Sequence, residues 1–223
     1  MTKEIKTLTV MYNATITHKE ITYFRGAVIK ALGDNPNLLY HNHIDDSSYR
    51  FAYPLIQYKR INGKAVITCI EGGVDVIGQF LSETSEPLMI GRRETKIVVE
   101  KVIPEKIEIQ FSDTPLAYSL YQWLPLNSKN YEQYKNAEGI VDKIQILERV
   151  LVGNILSFLK GVGIHLEEHL DIHITDIIKQ DIIKYKGVIM MSFDIKFKAN
   201  ITLPSYIGIG KNASMGYGIL VPK

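Results

Sequence analysis

The chain has 223 residues, of which 46% are hydrophobic and 22% charged, and its net charge is +2. That leaves room for one large domain or two of ordinary size, with globular composition and ample material for a core. A single cysteine, Cys69, excludes a disulfide framework and suits a reducing cytoplasm, and without a long apolar run neither a signal peptide nor a membrane span is expected.

Residues 5–16 alternate Leu8, Val10, Tyr12, Ala14 and Ile16 against Thr7, Thr9, Met11, Asn13 and Thr15, the period of a strand. Thr17 and Glu20 have capping-box spacing and open a helix with the apolar stripe Ile21, Phe24, Val28, Ala31, Leu32. Gly33 suits the position after its C-terminus, and Asp34-Asn35-Pro36 ends it. A polar loop, 35–48, carries His41-Asn42-His43, and a strand is predicted over 49–60. Asn62-Gly63 is a two-residue hairpin signal, with the return strand at 64–70. Gly72-Gly73 precedes a short helix marked by Val74, Ile77 and Leu81, and strands are predicted over 95–103 and 106–111, either side of Pro104-Glu105. The order β-α-β-β-α-β is ferredoxin-like.

Thr114-Pro115 divides the chain into 1–113 and 114–223. The second part opens with a strand at 116–126. A helix over 140–159 follows, striped by Ile140, Ile144, Leu147, Leu151, Ile155 and Phe158 and stopped by Gly161 and Gly163. Leu170, Ile172 and Ile174 alternate with His169, Asp171 and His173, so His165, Glu167, Glu168 and these histidines read as polar surface beside a strand. In the strand 188–201, Phe193, Ile195, Phe197, Ala199 and Ile201 take one side and Lys196 and Lys198 the other. No second helix is evident in this half. Cys69, within an apolar strand, reads as core.

The charge is unevenly distributed. Residues 1–181 balance at −3. Residues 182–223 hold Lys184, Lys186, Lys196, Lys198, Lys211 and Lys223 against Asp194 alone, a balance of +5. A local basic strip is the footprint expected for a phosphate backbone, or simply a solvated face. The same end carries Gly208-Ile209-Gly210 and, five residues on, Gly216-Tyr217-Gly218. Around Lys211, Asn212 and Ser214, such a stretch forms a flexible loop rich in backbone donors able to hold phosphate oxygens. Too little chain follows for a dinucleotide fold, and Asn212 after Lys211 breaks the phosphate-loop pattern. A plain hairpin turn fits as well.

Paired glycines one strand from the C-terminus resemble the glycine-rich loop of the RAMP superfamily of CRISPR-associated proteins. More narrowly, the chain resembles the endoribonucleases that cut CRISPR precursor transcripts into guide RNAs. The resemblance implies an α+β fold of two tandem ferredoxin-like (RRM-like) domains with antiparallel sheets over essentially the whole chain. It implies RNA contacts at Lys196, Lys198, Gly208, Gly210, Lys211, Asn212, Ser214, Gly216 and Gly218. Members often place a catalytic histidine on or just after the first helix, which maps to His41 and His43, with Lys30 and Tyr49 as helpers. The implied partner is CRISPR repeat RNA, with effector-complex subunits or a second copy of the chain as further partners and with no cofactor or membrane.

The chemistry suits those residue types. RNA can be cut by its own 2′-hydroxyl if one group accepts a proton and another donates one, and histidine does either near neutral pH. Two other readings stay open. A His-x-His in a polar loop is also ordinary solvated surface, and His41, His43, Asp45 and Asp46 include ligands usable by zinc or manganese. Three functions therefore compete: a metal-independent endoribonuclease, a non-catalytic RNA-binding subunit of the same superfamily, and a metalloenzyme.

Overall fold

A computed structural model describes residues 3–33, 53–83 and 86–223. The chain forms two compact units. The N-terminal unit is Glu4–Lys106 joined by Ser214–Gly216, and the C-terminal unit is built mainly from Ile107–Ala213 and Tyr217–Lys223.

In the N-terminal unit, β1 (Lys3–Thr15) is the alternating strand, with Val10, Tyr12 and Ala14 buried. The Thr17–Glu20 capping box is present: the Glu20 carboxylate accepts from the Thr17 N–H at 2.7 Å. It starts a short 3-10 turn that runs into α1 (Ile21–Ala31). The helix buries Ile21, Phe24, Ala27 and Val28, so Ala27 takes the core place assigned to Ala31, which is exposed.

Asn62 (φ 51) and Gly63 (φ 84) make the left-handed turn between β2 (Ile56–Ile61) and β3 (Lys64–Ile70). β2 begins at Ile56 and not among residues 53–55, where Pro54 has no N–H to give a ladder. In α2 (Gly72–Glu83), Ile77 and Phe80 are buried and Leu81 is exposed. Gly73 is required there, because a Cβ would lie 2.3 Å from the Leu55 carbonyl oxygen. Tyr12 meets Phe24 and Phe80 edge-on at 6.0 and 6.4 Å, and Phe24 meets Tyr58 at 6.0 Å.

Two short strands that the sequence reading missed, β4 (Leu88–Ile90) and β5 (Arg93–Thr95), form a hairpin about Gly91-Arg92. The two strands expected around Pro104 are one, β6 (Val99–Ile109). It lies at the edge of the sheet β2-β3-β1-β6, where proline's missing N–H breaks no inner ladder.

In the C-terminal unit, β7 (Phe111–Trp123) runs through Pro115 with an irregular register before Leu116. A second helix is present after all: α3 (Ser128–Asn136), capped by Asn127, whose side-chain oxygen accepts from Asn130 N–H at 2.8 Å. It is polar nearly all round and buries only Tyr134, so it lacks the stripe by which helices are recognised. α4 (Ile140–Gly161) buries Leu147, Val150, Leu151, Ile155, Phe158 and Leu159, while its first residue, Ile140, is exposed.

β8 (Ile172–Tyr185) and β9 (Val188–Ile201) form a long hairpin turned at Lys186 (φ 47) and Gly187 (φ 83). With β10 (Ile219–Pro222) the sheet order is β10-β7-β9-β8. In both units the first strand is central, flanked by the third and the last of the four. The fold is thus α+β, with two antiparallel sheets in tandem ferredoxin-like arrangement. Both helices of the C-terminal unit precede β8, so the crossover from β9 to β10 is made by the glycine stretch and a 3-10 turn at Ala213–Met215. No helix among the described residues is long and apolar enough to cross a membrane.

Candidate nucleic-acid interface

The glycine stretch leaves β9 through a fixed point. The Tyr118 hydroxyl donates to the Ile201 carbonyl at 2.9 Å and accepts from Leu203 N–H at 3.1 Å, and burial pushes its phenol up to about 12. Beyond it the chain folds back on β10: Tyr206 N–H donates to Leu220 C=O (2.8 Å), Leu220 N–H to Ile207 C=O (2.9 Å) and Ile209 N–H to Gly218 C=O (2.7 Å). The stretch is therefore a laddered hairpin with a short tip and not an open loop.

Its glycines are set by close approach. At Gly218 (φ +64) a Cβ would lie 1.9 Å from the Ile209 carbonyl oxygen, and at Gly208 it would lie 2.8 Å from Ala213. At Gly210 (φ +90) it would lie 2.6 Å from Asn154 Oδ1, which itself accepts from Trp123 Nε1 at 2.9 Å. Gly216 (φ +80) packs within the N-terminal unit, where a Cβ would lie 2.8 Å from Ile21 Cδ1. Gly208, Gly216 and Gly218 are buried, and Gly210 is half-buried. Lys211 is exposed, with Asn212 and Ser214 half-buried beside it. Asn212 Nδ2 is buried with no hydrogen-bond partner. A donor left in that state is uncommon in a finished interior.

Lys196 and Lys198 stand on one face of β9, as alternation requires, while Ile195, Phe197 and Ala199 are buried on the other. They differ in neighbours. Lys196 pairs with Asp176 at 3.0 Å. Lys198 lies opposite His173 in register and lines a cleft with Asp113, Glu168 and Asp171. His165, Glu167, Glu168 and His169 are exposed; His169 sits 3.5 Å from Asp171.

In the N-terminal unit, Lys30 stands exposed on the last turn of α1, in a groove it shares with Arg92 of the β4–β5 turn. His41, His43 and Tyr49 lie outside the described residues, as do Asp45 and Asp46. Among the described residues no group of three His, Cys, Asp or Glu is placed to hold a metal ion.

Sequence reasoning passed over Lys59. It is 0% exposed on β2, where its Nζ donates to Gln57 Oε1. Gln57 Nε2 in turn donates to the Tyr53 hydroxyl at 2.9 Å and the Pro54 carbonyl at 3.0 Å. Burial holds the Lys59 amine well below the usual lysine range. Gln57 and Lys59 alternate with Ile56 and Tyr58, a pattern that reads as a solvent face; only the folded unit reveals it as buried.

Comparison with known proteins covers the whole chain. Residues 3–108 match the Cas6b N-terminal domain family, and residues 110–222 match the Cas6b C-terminal domain family. A crystal structure of Cas6b is 29% identical, with 99% of this chain and 100% of that one covered and a TM-score of 0.85. A crystal structure of the CRISPR RNA processing endoribonuclease Cas6b is 28% identical over 99% of this chain and 100% of that one, with a TM-score of 0.74. The uncharacterized protein MJ0978 of Methanocaldococcus jannaschii is 32% identical over 129 residues, 55% of this chain and 86% of that protein.

Proposed function

Because the chain belongs to the Cas6b family through both of its domains, we propose that it is an endoribonuclease that cuts CRISPR repeat RNA in precursor transcripts and releases guide RNAs. The observation that carries this reading is its full-length likeness to a solved CRISPR RNA processing endoribonuclease.

In the proposed reaction the 2′-oxygen upstream of the cut attacks the neighbouring phosphorus, and the bond from phosphorus to the 5′-oxygen breaks. The 2′-hydroxyl proton passes to one imidazole, and the leaving 5′-oxygen takes a proton from another. His41 and His43 fill these two roles, because an imidazole titrating at ~6.5 can accept or donate near neutral pH. Lys30 and Tyr49 stabilise the charge that builds on the phosphate. A nucleophile supplied by the RNA removes the need for a metal-bound water. Lys196, Lys198, Lys211, Asn212 and Ser214 hold the RNA, and the glycines hold the segment that presents the last three.

Incubation of repeat transcript with the protein in excess EDTA tests this. Cleavage should persist, leaving a 2′,3′-cyclic phosphate and a 5′-hydroxyl. His41→Ala and His43→Ala should each slow cutting roughly 100- to 10,000-fold with little change in affinity. A single 2′-deoxy nucleotide upstream of the cut should stop cleavage and leave binding intact. Normal cutting of the deoxy substrate, or a 5′-phosphate product, would mean that water is the nucleophile. Tight binding without any cutting would make the protein a non-catalytic RNA-binding subunit.

A further inference from the structure

Between α1 and the β4–β5 hairpin of the N-terminal unit runs an open groove of about 700 Å³. Its helix wall is Tyr23, Gly26, Ala27 and Lys30, spaced i, i+3, i+4, i+7 and so on one face. Met89, Gly91 and Arg92 form the opposite wall. Past Lys30 the groove continues toward Glu86 and Pro87, where Glu86 is the carboxylate of its lining.

Three features of this groove do nothing for the fold. Gly26 sits in the middle of a helix, where glycine costs about 1 kcal/mol relative to alanine. Yet a Cβ there would meet nothing within 4 Å among the described residues, so no described neighbour demands a glycine. Tyr23 is 56% exposed and Met89 51%, large apolar surfaces flanking that bare backbone. Finally, Lys30 and Arg92 pair with no carboxylate among the described residues, whereas adjacent Arg93 is engaged with Glu20 at 3.3 Å. The tyrosine ring lies beside Gly91 (φ +65), where a Cβ would be in ordinary contact, 3.4 Å from ring carbon Cδ2.

A flat aromatic wall, a floor without side chain and two rim cations that no described carboxylate engages match the chemistry of a single-stranded nucleic acid. Stacking takes any base, and the cations take its phosphates. A duplex keeps its bases stacked on one another and offers none to Tyr23. We propose that the groove holds one unpaired nucleotide of an RNA strand, its base stacked on Tyr23 over Gly26 and its flanking phosphates on Lys30 and Arg92. The proposal rests on the RNA-cleaving function argued above and adds a base-binding subsite to it.

The test uses the full-length protein with two probes, repeat transcript and a fluorescein-labelled oligouridylate. Tyr23→Ala should weaken oligouridylate binding roughly five- to a hundredfold, and Tyr23→Phe should restore it. Gly26→Leu should block the groove. The open space at its Cβ and leucine's better helix propensity mean the fold should tolerate it, so its melting temperature should not fall. Arg92→Ala should reduce the slope of log K against log salt by about 0.7, the release from one phosphate contact. With 4-thiouridine in the RNA, cross-links should map to the peptides holding Tyr23 or Met89. Wild-type affinity for Tyr23→Ala and Gly26→Leu, with cross-links only elsewhere, overturns the groove even if repeat RNA is still cut. Loss of oligouridylate binding in these variants of a protein that never cuts repeat RNA upholds the groove and overturns the nuclease reading. A wild-type protein that binds neither probe overturns both.

Discussion

Lys59 is a lysine held away from water. At 0% exposure on β2, its amine loses the hydration that stabilises the charged form, and its pKa falls well below the ordinary value near 10.5. The unfolded chain has no such constraint and takes up the proton at any pH below that value. Between the depressed folded pKa and 10.5, unfolding therefore binds a proton, and stability rises with pH across that window. Lys59→Met keeps roughly the same volume and removes the titration. Denaturant midpoints should then climb with pH in the parent between the depressed folded pKa and about 10.5, and climb less in the variant. Loss of the hydrogen bond to Gln57 shifts the variant's curve equally at every pH, so the difference in slope is the readout. Parallel curves would show that Lys59 stays charged in the fold. Cys69 is treated the same way: burial pushes its thiol up to about 12, which leaves it an unreactive core side chain.

At the scale of elements, two kinds of glycine have opposite consequences. Gly218 has φ +64 and a carbonyl oxygen 1.9 Å from where its Cβ would be, so Gly218→Ala should destabilise by more than about 1 kcal/mol. Gly153, inside α4, has open space where a Cβ would stand, with nothing among the described residues within 4 Å, so Gly153→Ala should stabilise by roughly 0.5–1 kcal/mol. Urea midpoints of the two variants on either side of the parent would bear this out; a stable Gly218→Ala protein would mean that the hairpin ladder is dispensable. Elements with local signals were legible in the sequence: the period of β1, the Thr17–Glu20 box before α1, the Asn62-Gly63 turn, the stripe of α4. Those whose signal is tertiary were not. α3 has no apolar stripe, β6 passes through Pro104 because it is an edge strand, and β4 and β5 are too short to show a period. For the site, alternation placed Lys196 and Lys198 on one face. The groove wall formed by Met89, Gly91 and Arg92 depends on that short hairpin, so its meeting with Tyr23 was invisible in sequence.

Over the whole molecule, net charge of +2 conceals a segment, 182–223, that carries six lysines and one aspartate. Affinity for RNA should therefore fall steeply with salt, since each phosphate contact releases about 0.7 of a condensed counterion from a single strand. The structure grades the contributions. Lys196 already faces Asp176 at 3.0 Å and must give up that pair to reach a phosphate, so it should contribute least. Lys198 and Lys211 are exposed, have no such close ion pair among the described residues, and stand on β9 and at the tip of the glycine stretch. Lys198→Ala and Lys211→Ala should each flatten the plot of log K against log salt by about 0.7, and Lys196→Ala by less. Asp176→Ala reverses the logic: it frees Lys196 and should steepen the plot and tighten binding at low salt. These side chains are exposed and outside the core, so stability should hardly move and affinity is read without a folding correction. A plot unchanged by Lys198→Ala, Lys211→Ala and Asp176→Ala together would place the RNA away from this basic segment.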